Sequence, residues 1–161
     1  MSPSDLIRDL DLAPHPEGGY FRETYRAAHQ DAQGRAASTL IYFLLLPGQV
    51  SKLHRIDADE SWHLYLGGPL LIHELDPAMP QAPPRTTLLG RELARGERPQ
   101  HVVPAGCWFG AELAPGAEFA LVGCGVAPAF EFTKFELATR AAMLARFGGP
   151  AAPVILRLTA V

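Results

Sequence analysis

The period of apolar and polar positions changes several times along the chain. In "SPSDLIRDLDL", residues 2–12, Leu6, Ile7 and Leu10 recur at helical spacing behind Ser2 and Ser4. Either serine is a suitable cap for a short helix. The following "APHPEGG" carries two prolines and two glycines and ends it. From Tyr20 the period becomes two, so "YFRETYRA" predicts a strand. Strict alternation puts Tyr20, Arg22, Thr24 and Arg26 on one face and Phe21, Glu23 and Tyr25 on the other. "ASTLIYFLLLPG" is apolar at nearly every position, which predicts a strand covered on both faces and ended by Pro47-Gly48. Short segments follow near 50–56, 61–67, 69–75, 85–92, 99–103, 107–113 and 117–125, each bounded by Gly, Pro or acidic residues. Many short strands at this spacing predict an all-β, closed or sandwiched antiparallel architecture. Near the end, "FELATRAAMLARFGG" has helical composition and stops at Gly148-Gly149-Pro150. "PVILRLTAV" is ambiguous between a short helix and an edge strand.

Composition narrows the function classes. A chain of 161 residues, 48% apolar and 19% charged, is expected to form one domain over residues 1–161 with a substantial core. Net charge is −3 and no Lys/Arg run occurs, which argues against a nucleic-acid partner. The longest apolar run is too short to span a bilayer, so no membrane partner is expected. "MSPSDLIRDL" is unlike a signal peptide, and the expected location is the cytoplasm. Cys107 and Cys124 read as reduced and buried, with a disulfide between them left open.

The chemistry concentrates in "HRIDADESWHLYLGG", residues 54–68, with His54, His63, Asp57, Asp59 and Glu60. Asp57 and Asp59 sit in a turn and read as solvated or capping side chains. Gly48, His54, Ile56, Glu60 and Gly67 are spaced like the first cupin motif, and "VVPAGCW" resembles the start of the second. Further stretches, "HPEGGYFRETYR", "STLIYFLL", "DESWHLYLGGPLLIHEL" and "FALVGCGVAPAFEFTKFELATR", together resemble cupin family 5, proteins of unknown function. The resemblance covers roughly residues 4 to 147. It implies a cupin jelly-roll of the RmlC-like kind, with short terminal helices, a homodimeric state, and a shape similar to sugar-nucleotide epimerases and sugar-phosphate isomerases.

The motif also implies four inward metal ligands. Two of those positions carry Ile56 and Phe109 instead, leaving His54 and Glu60, fewer than a transition-metal site needs. The expectation is no metal and no cofactor; a degenerate metalloenzyme site would have to add His63 to His54 and Glu60. His63 lies an odd number of residues from Glu60, so without a bulge it points out of the barrel.

The expected function is binding of a small polar organic ligand, sugar- or nucleotide-sugar-like, with a metal-independent epimerase or isomerase activity. In that reading His54 is the base or acid and Glu60 its partner. Tyr20, Arg22 and Thr24 form a polar stripe facing either the ligand or solvent, and Trp62 stacks on a ligand or fills the core. His63 reads as packing against the N-terminal strand or a dimer partner, with a ligand contact as the alternative, and Phe109 makes an apolar pocket floor. The alternative from another class is a non-catalytic small-molecule-binding or regulatory protein, which a ligand would stabilise without chemistry.

Overall fold

The computed structural model describes residues 2–160. Helix α1, Pro3–Asp9, begins at Ser2, whose hydroxyl accepts from the Asp5 N–H while the Asp5 carboxylate accepts from the Ser2 N–H. This reciprocal capping box satisfies two of the donors a helix start leaves open. The strands are β1 (Ala13–Pro14), β2 (Tyr20–Arg26), β3 (Thr39–Leu45), β4 (Val50–Arg55), β5 (Asp59–Gly67) and β6 (Leu70–Leu75). They continue with β7 (Arg85–Leu89), β8 (Gln100–Val103), β9 (Trp108–Leu113), β10 (Ala120–Ala127) and β11 (Glu136–Leu137). Helices α2 (Arg140–Phe147) and α3 (Ala152–Leu158) follow. "PVILRLTAV" is therefore helical over most of its length, and Val161 lies outside the described residues.

Two antiparallel sheets face each other, in the orders β1-β2-β3-β10-β5-β8 and β11-β4-β9-β6-β7. This is the jelly-roll expected from the strand pattern, with the helices outside. Strand neighbours far apart in sequence, such as β3 with β10 and β4 with β9, close the structure. Helix α1 covers the end of the larger sheet through Leu6 packed with Leu12, Leu44 and Leu121. Helices α2 and α3 cover the smaller sheet, where Met143, Phe147, Ile155 and Leu158 meet Leu53, Leu75 and Trp108.

Between the sheets, alternate residues point inward. Phe43, Trp62, Leu70, Ile72, Leu89 and Phe109 are almost fully buried and fill one part of the barrel. Side chains of this size gain about 1.5–3 kcal/mol each on full burial. The strand registers place Val126 beside both Thr39 and Glu60. At that end the apolar filling gives way to a cavity. No helix among the described residues is long and apolar enough to cross a membrane.

Candidate functional site

The cavity has a volume of about 160 Å³. Its polar lining includes the turn before β2 (His15 and Glu17), β3 (Thr39), β4 (His54), β5 (Glu60) and β10 (Cys124). Phe21, Phe130 and Phe132 add apolar walls, with Glu23, Arg26 and Glu131 among the remaining lining residues.

The turn is tied down at several points. The His15 N–H donates to the Gly19 carbonyl and the Gly18 N–H to the His15 carbonyl, both at 3.0 Å. The Lys52 N–H donates to the Glu17 carbonyl at 2.9 Å and joins the turn to β4. Gly18 has φ +113°, which disfavours any residue with a Cβ, and an added Cβ would overlap the Val50 carbonyl oxygen. The turn therefore holds Glu17 in the barrel, where its side chain is buried.

Glu17 is the partner of His54. Its Oε2 lies 3.3 Å from His54 Nε2, and its Oε1 accepts from the Ser51 hydroxyl at 2.7 Å. Ser51 and His54 have opposite parity, yet both reach Glu17, because the β4–β9 register shifts between them. His54 Nδ1 is 2.7 Å from the Lys52 carbonyl, which only accepts, so that nitrogen carries a hydrogen.

His15 has the other tautomer. Its Nδ1 accepts from the Glu17 backbone N–H at 3.2 Å, so in the neutral ring the hydrogen sits on Nε2. Burial lowers its pKa, more than the nearby Glu17 raises it. Its ring meets the Phe21 ring edge-on, 4.5 Å between centroids.

Glu60 is 7% exposed. Burial first, and then the charge of Glu17, push its carboxyl pKa up to about 8, slightly opposed by a hydrogen bond with Cys124. Glu60 is thus a neutral carboxylic acid at neutral pH. The same surroundings push the Cys124 thiol well above its ordinary range, which leaves it a poor nucleophile.

Several expected site residues fall elsewhere. The expected partnership of His54 with Glu60 is replaced by one with Glu17, although Glu60 lines the same cavity. Tyr20, Arg22 and Thr24 face away from it: Tyr20 packs on the α1 cluster, Arg22 donates to the Leu10 carbonyl, and the Thr24 hydroxyl donates to the Leu40 carbonyl. Arg26, placed with them by alternation, turns inward because the β2–β3 register shifts between Glu23 and Tyr25. Trp62 is a core side chain, 5.9 Å from Phe43 between ring centroids. Phe109 is buried behind His54, with centroids 4.1 Å apart. The register from Glu60 to Leu64 is unbroken, so His63 shares the outward face with Ser61. His63 does not converge with His54 and Glu60. Asp57 is bonded twice to Arg35, and Asp59 accepts from the Ala105 N–H.

Residues 4–138 match the Cupin_5 family, described as "Cupin superfamily (DUF985)". The chain belongs to the cupin superfamily. This cupin is similar to protein SO0799 from Shewanella oneidensis, with TM-score 0.92 and 39% identity over 99% of this chain and 98% of that one. It is 30% identical to the uncharacterized protein YML079W of Saccharomyces cerevisiae, over 81% of this chain and 72% of the yeast protein. Oxalate decarboxylase of Bacillus subtilis shares the fold, with TM-score 0.59 and 16% identity over 92% of this chain. The cupin spans only 37% of that enzyme.

The cupin's donor set does not fit a motif-type metal centre. Ile56 and Phe109 bring no donor atom, which leaves His54 and Glu60 of the four motif positions, and His54 Nδ1 is spent on the Lys52 carbonyl. No group of three His, Cys, Asp or Glu is placed to hold a metal among the described residues.

A larger cavity of about 410 Å³ lies near the proline-rich loop and is lined by Glu74, Asp76, Arg85 and Cys107. It offers less chemistry. Glu74 is already held by Arg85 and His101, and burial with the Glu74 charge pushes the Cys107 thiol up to about 11. The site roles of His15 and Glu17 are not legible in the sequence, because "HPEGG" reads as a helix stop. The available signal was the Gly18-Gly19 pair, which permits a close approach of backbone to the barrel.

Proposed function

We propose that this cupin binds a small polar organic molecule in the 160 Å³ cavity and moves a proton on it. Glu17 is the base, positioned by Ser51 and His54, and Glu60 is the acid. The observation that carries the reading is the pair of carboxyl groups in contrasting settings at one cavity. Glu17 accepts from the Ser51 hydroxyl and lies beside the His54 ring, whereas burial pushes the Glu60 carboxyl up to about 8. Two carboxyl groups in unlike surroundings at one cavity are a usual basis for assigning a base and an acid. His54, expected from sequence as the base itself, stands behind Glu17 as a positioning residue.

The cavity size argues against a buried nucleotide. At about 160 Å³ the cavity is smaller than the roughly 300–1,000 Å³ usual for pockets that bury a drug-sized ligand. This suits a three- to four-carbon compound or one end of a sugar. The test is thermal unfolding with erythrulose, xylose and glycerol, combined with proton exchange into D2O followed by NMR. The expected result is a rise in Tm with at least one of these probes, and exchange that Glu17→Gln and Glu60→Gln each slow by 100-fold or more. Stabilisation without exchange would favour the non-catalytic binder.

The homodimer is a proposal of the same kind. Leu40 and Val102 are exposed on the outer face of the larger sheet, in one row with Gly125 and Ser61 between them, and a second copy is the proposed cover. Sedimentation at the monomer mass of 17.4 kDa would overturn it.

A further inference from the structure

The Nε2–H of His15 has no use in the fold. The His15 side chain is 6% exposed and lines the cavity, and its Nδ1 is occupied by the Glu17 backbone N–H. Nε2 has no hydrogen-bond partner among the described residues. Yet it is not among the buried polar atoms sealed off without a partner, which are the indole nitrogens of Trp62 and Trp108. Nε2 therefore opens onto the cavity. An N–H that faces a cavity takes its acceptor from whatever fills that cavity, a ligand atom or a water.

The charges around it limit what that ligand can be. Among the described residues, Arg26 is the only Lys or Arg lining the cavity, and its guanidinium is already engaged. It donates two bonds of 2.9 Å to Glu23 and one of 3.1 Å to the Phe130 carbonyl. Glu17, Glu23 and Glu131 add negative charge. A carboxylate or phosphate would meet carboxylates and no free cation. An uncharged oxygen acceptor meets one fixed donor.

Resting on the proton-transfer reading above, we propose that His15 is a catalytic residue whose Nε2–H polarises the carbonyl oxygen of an uncharged hydroxyketone or hydroxyaldehyde. Glu17 then takes a proton from the carbon next to that carbonyl. The C–H bond breaks and its electron pair forms a carbon–carbon double bond. The carbonyl π pair moves onto oxygen, where the His15 N–H holds the developing charge. Return of a proton to carbon from Glu17 or Glu60 restores the carbonyl. The step is redox-neutral and needs no co-reactant. A neutral imidazole suits it, because it polarises the oxygen without giving up its proton.

The test uses the full chain with dihydroxyacetone, erythrulose and fructose in D2O, following loss of the α-proton signals by NMR. The wild type is expected to exchange at least one of them faster than buffer, and faster than dihydroxyacetone phosphate or pyruvate. His15→Phe is expected to lose about 100-fold, as removal of an oxyanion donor does. His15→Gln, which keeps an N–H in reach, is expected to recover part of that loss. A long-range nitrogen–proton NMR spectrum of the ligand-free wild type is expected to show the His15 hydrogen on Nε2. Wild-type exchange rates in a folded His15→Phe variant, or a hydrogen on Nδ1, overturn the role of His15 and leave the proton-transfer reading standing. Faster exchange of the phosphate or carboxylate probe overturns the uncharged class. No exchange of any probe by the wild type overturns the proton-transfer reading, and this inference with it.

Discussion

Gly18 shows how much of the site depends on single residues. Its φ of +113° and its closeness to the Val50 carbonyl let the turn press Glu17 into the barrel. Gly18→Ala must shift the turn, strain its backbone, or both. The expected outcome is a destabilisation of about 2 kcal/mol or more together with loss of proton exchange. Denaturant unfolding and the NMR exchange assay check the two effects. At this scale the sequence was only partly legible. His54 and Glu60 stand out because their spacing matches a motif. Glu17 does not, because it reaches the site from a distant turn, and contact between distant segments leaves no local periodicity. Phe109 was legible in another way: an aromatic at a ligand position signals that a donor is missing.

At the scale of elements, the two register shifts matter most. One shift in β4 lets Ser51 and His54 address the same carboxylate, and one in β2 turns Arg26 inward. Alternation places each on the opposite face because it assumes an unbroken ladder. The helices were easier, since their signals lie within a turn of the chain, as in the Ser2–Asp5 cap. The ending of α3 depends on a longer reach. Arg140 Nη2 donates to the carbonyls of Leu156 at 3.0 Å and Thr159 at 2.7 Å, and Nε donates to the Thr159 hydroxyl at 3.1 Å. These bonds satisfy acceptors that a helix end leaves open. Arg140→Ala is expected to cost about 1–3 kcal/mol. Hydrogen exchange is expected to accelerate in residues 152–158 and stay unchanged in β5; equal acceleration in both would argue against a local role.

For the whole molecule, the buried acid sets a pH dependence. The pKa of Glu60 rises from 4.5 to about 8 on folding. Between those values the folded chain holds a proton that the unfolded chain has released. The folded state is therefore favoured most at the acid end, and this contribution is lost as pH rises through about 8. The full change amounts to at most about 5 kcal/mol. His15 and His73 act in the opposite direction at lower pH. Burial lowers both pKa values, so each reduces stability as pH falls below the ordinary histidine range near 6.5. Wild-type stability is expected to decline between pH 6.5 and 9, and Glu60→Gln is expected to flatten that decline. Denaturant midpoints measured across this range are the check, and an unchanged slope would show that the Glu60 carboxyl is not the proton holder.

The sequence by itself determined the class of fold: many short strands, turn residues between them, helices at either end, and a cupin motif lacking two of its donors. Those properties are local, because alternation, capping and turn chemistry act over a few residues. Tertiary structure alone decided the chemistry of the cavity. It brought Glu17 to His54 across more than thirty residues of sequence, buried Glu60 deeply enough to keep its proton, and left the His15 N–H free. Each of these depends on which distant groups share a desolvated space, and closure of the two sheets creates that space.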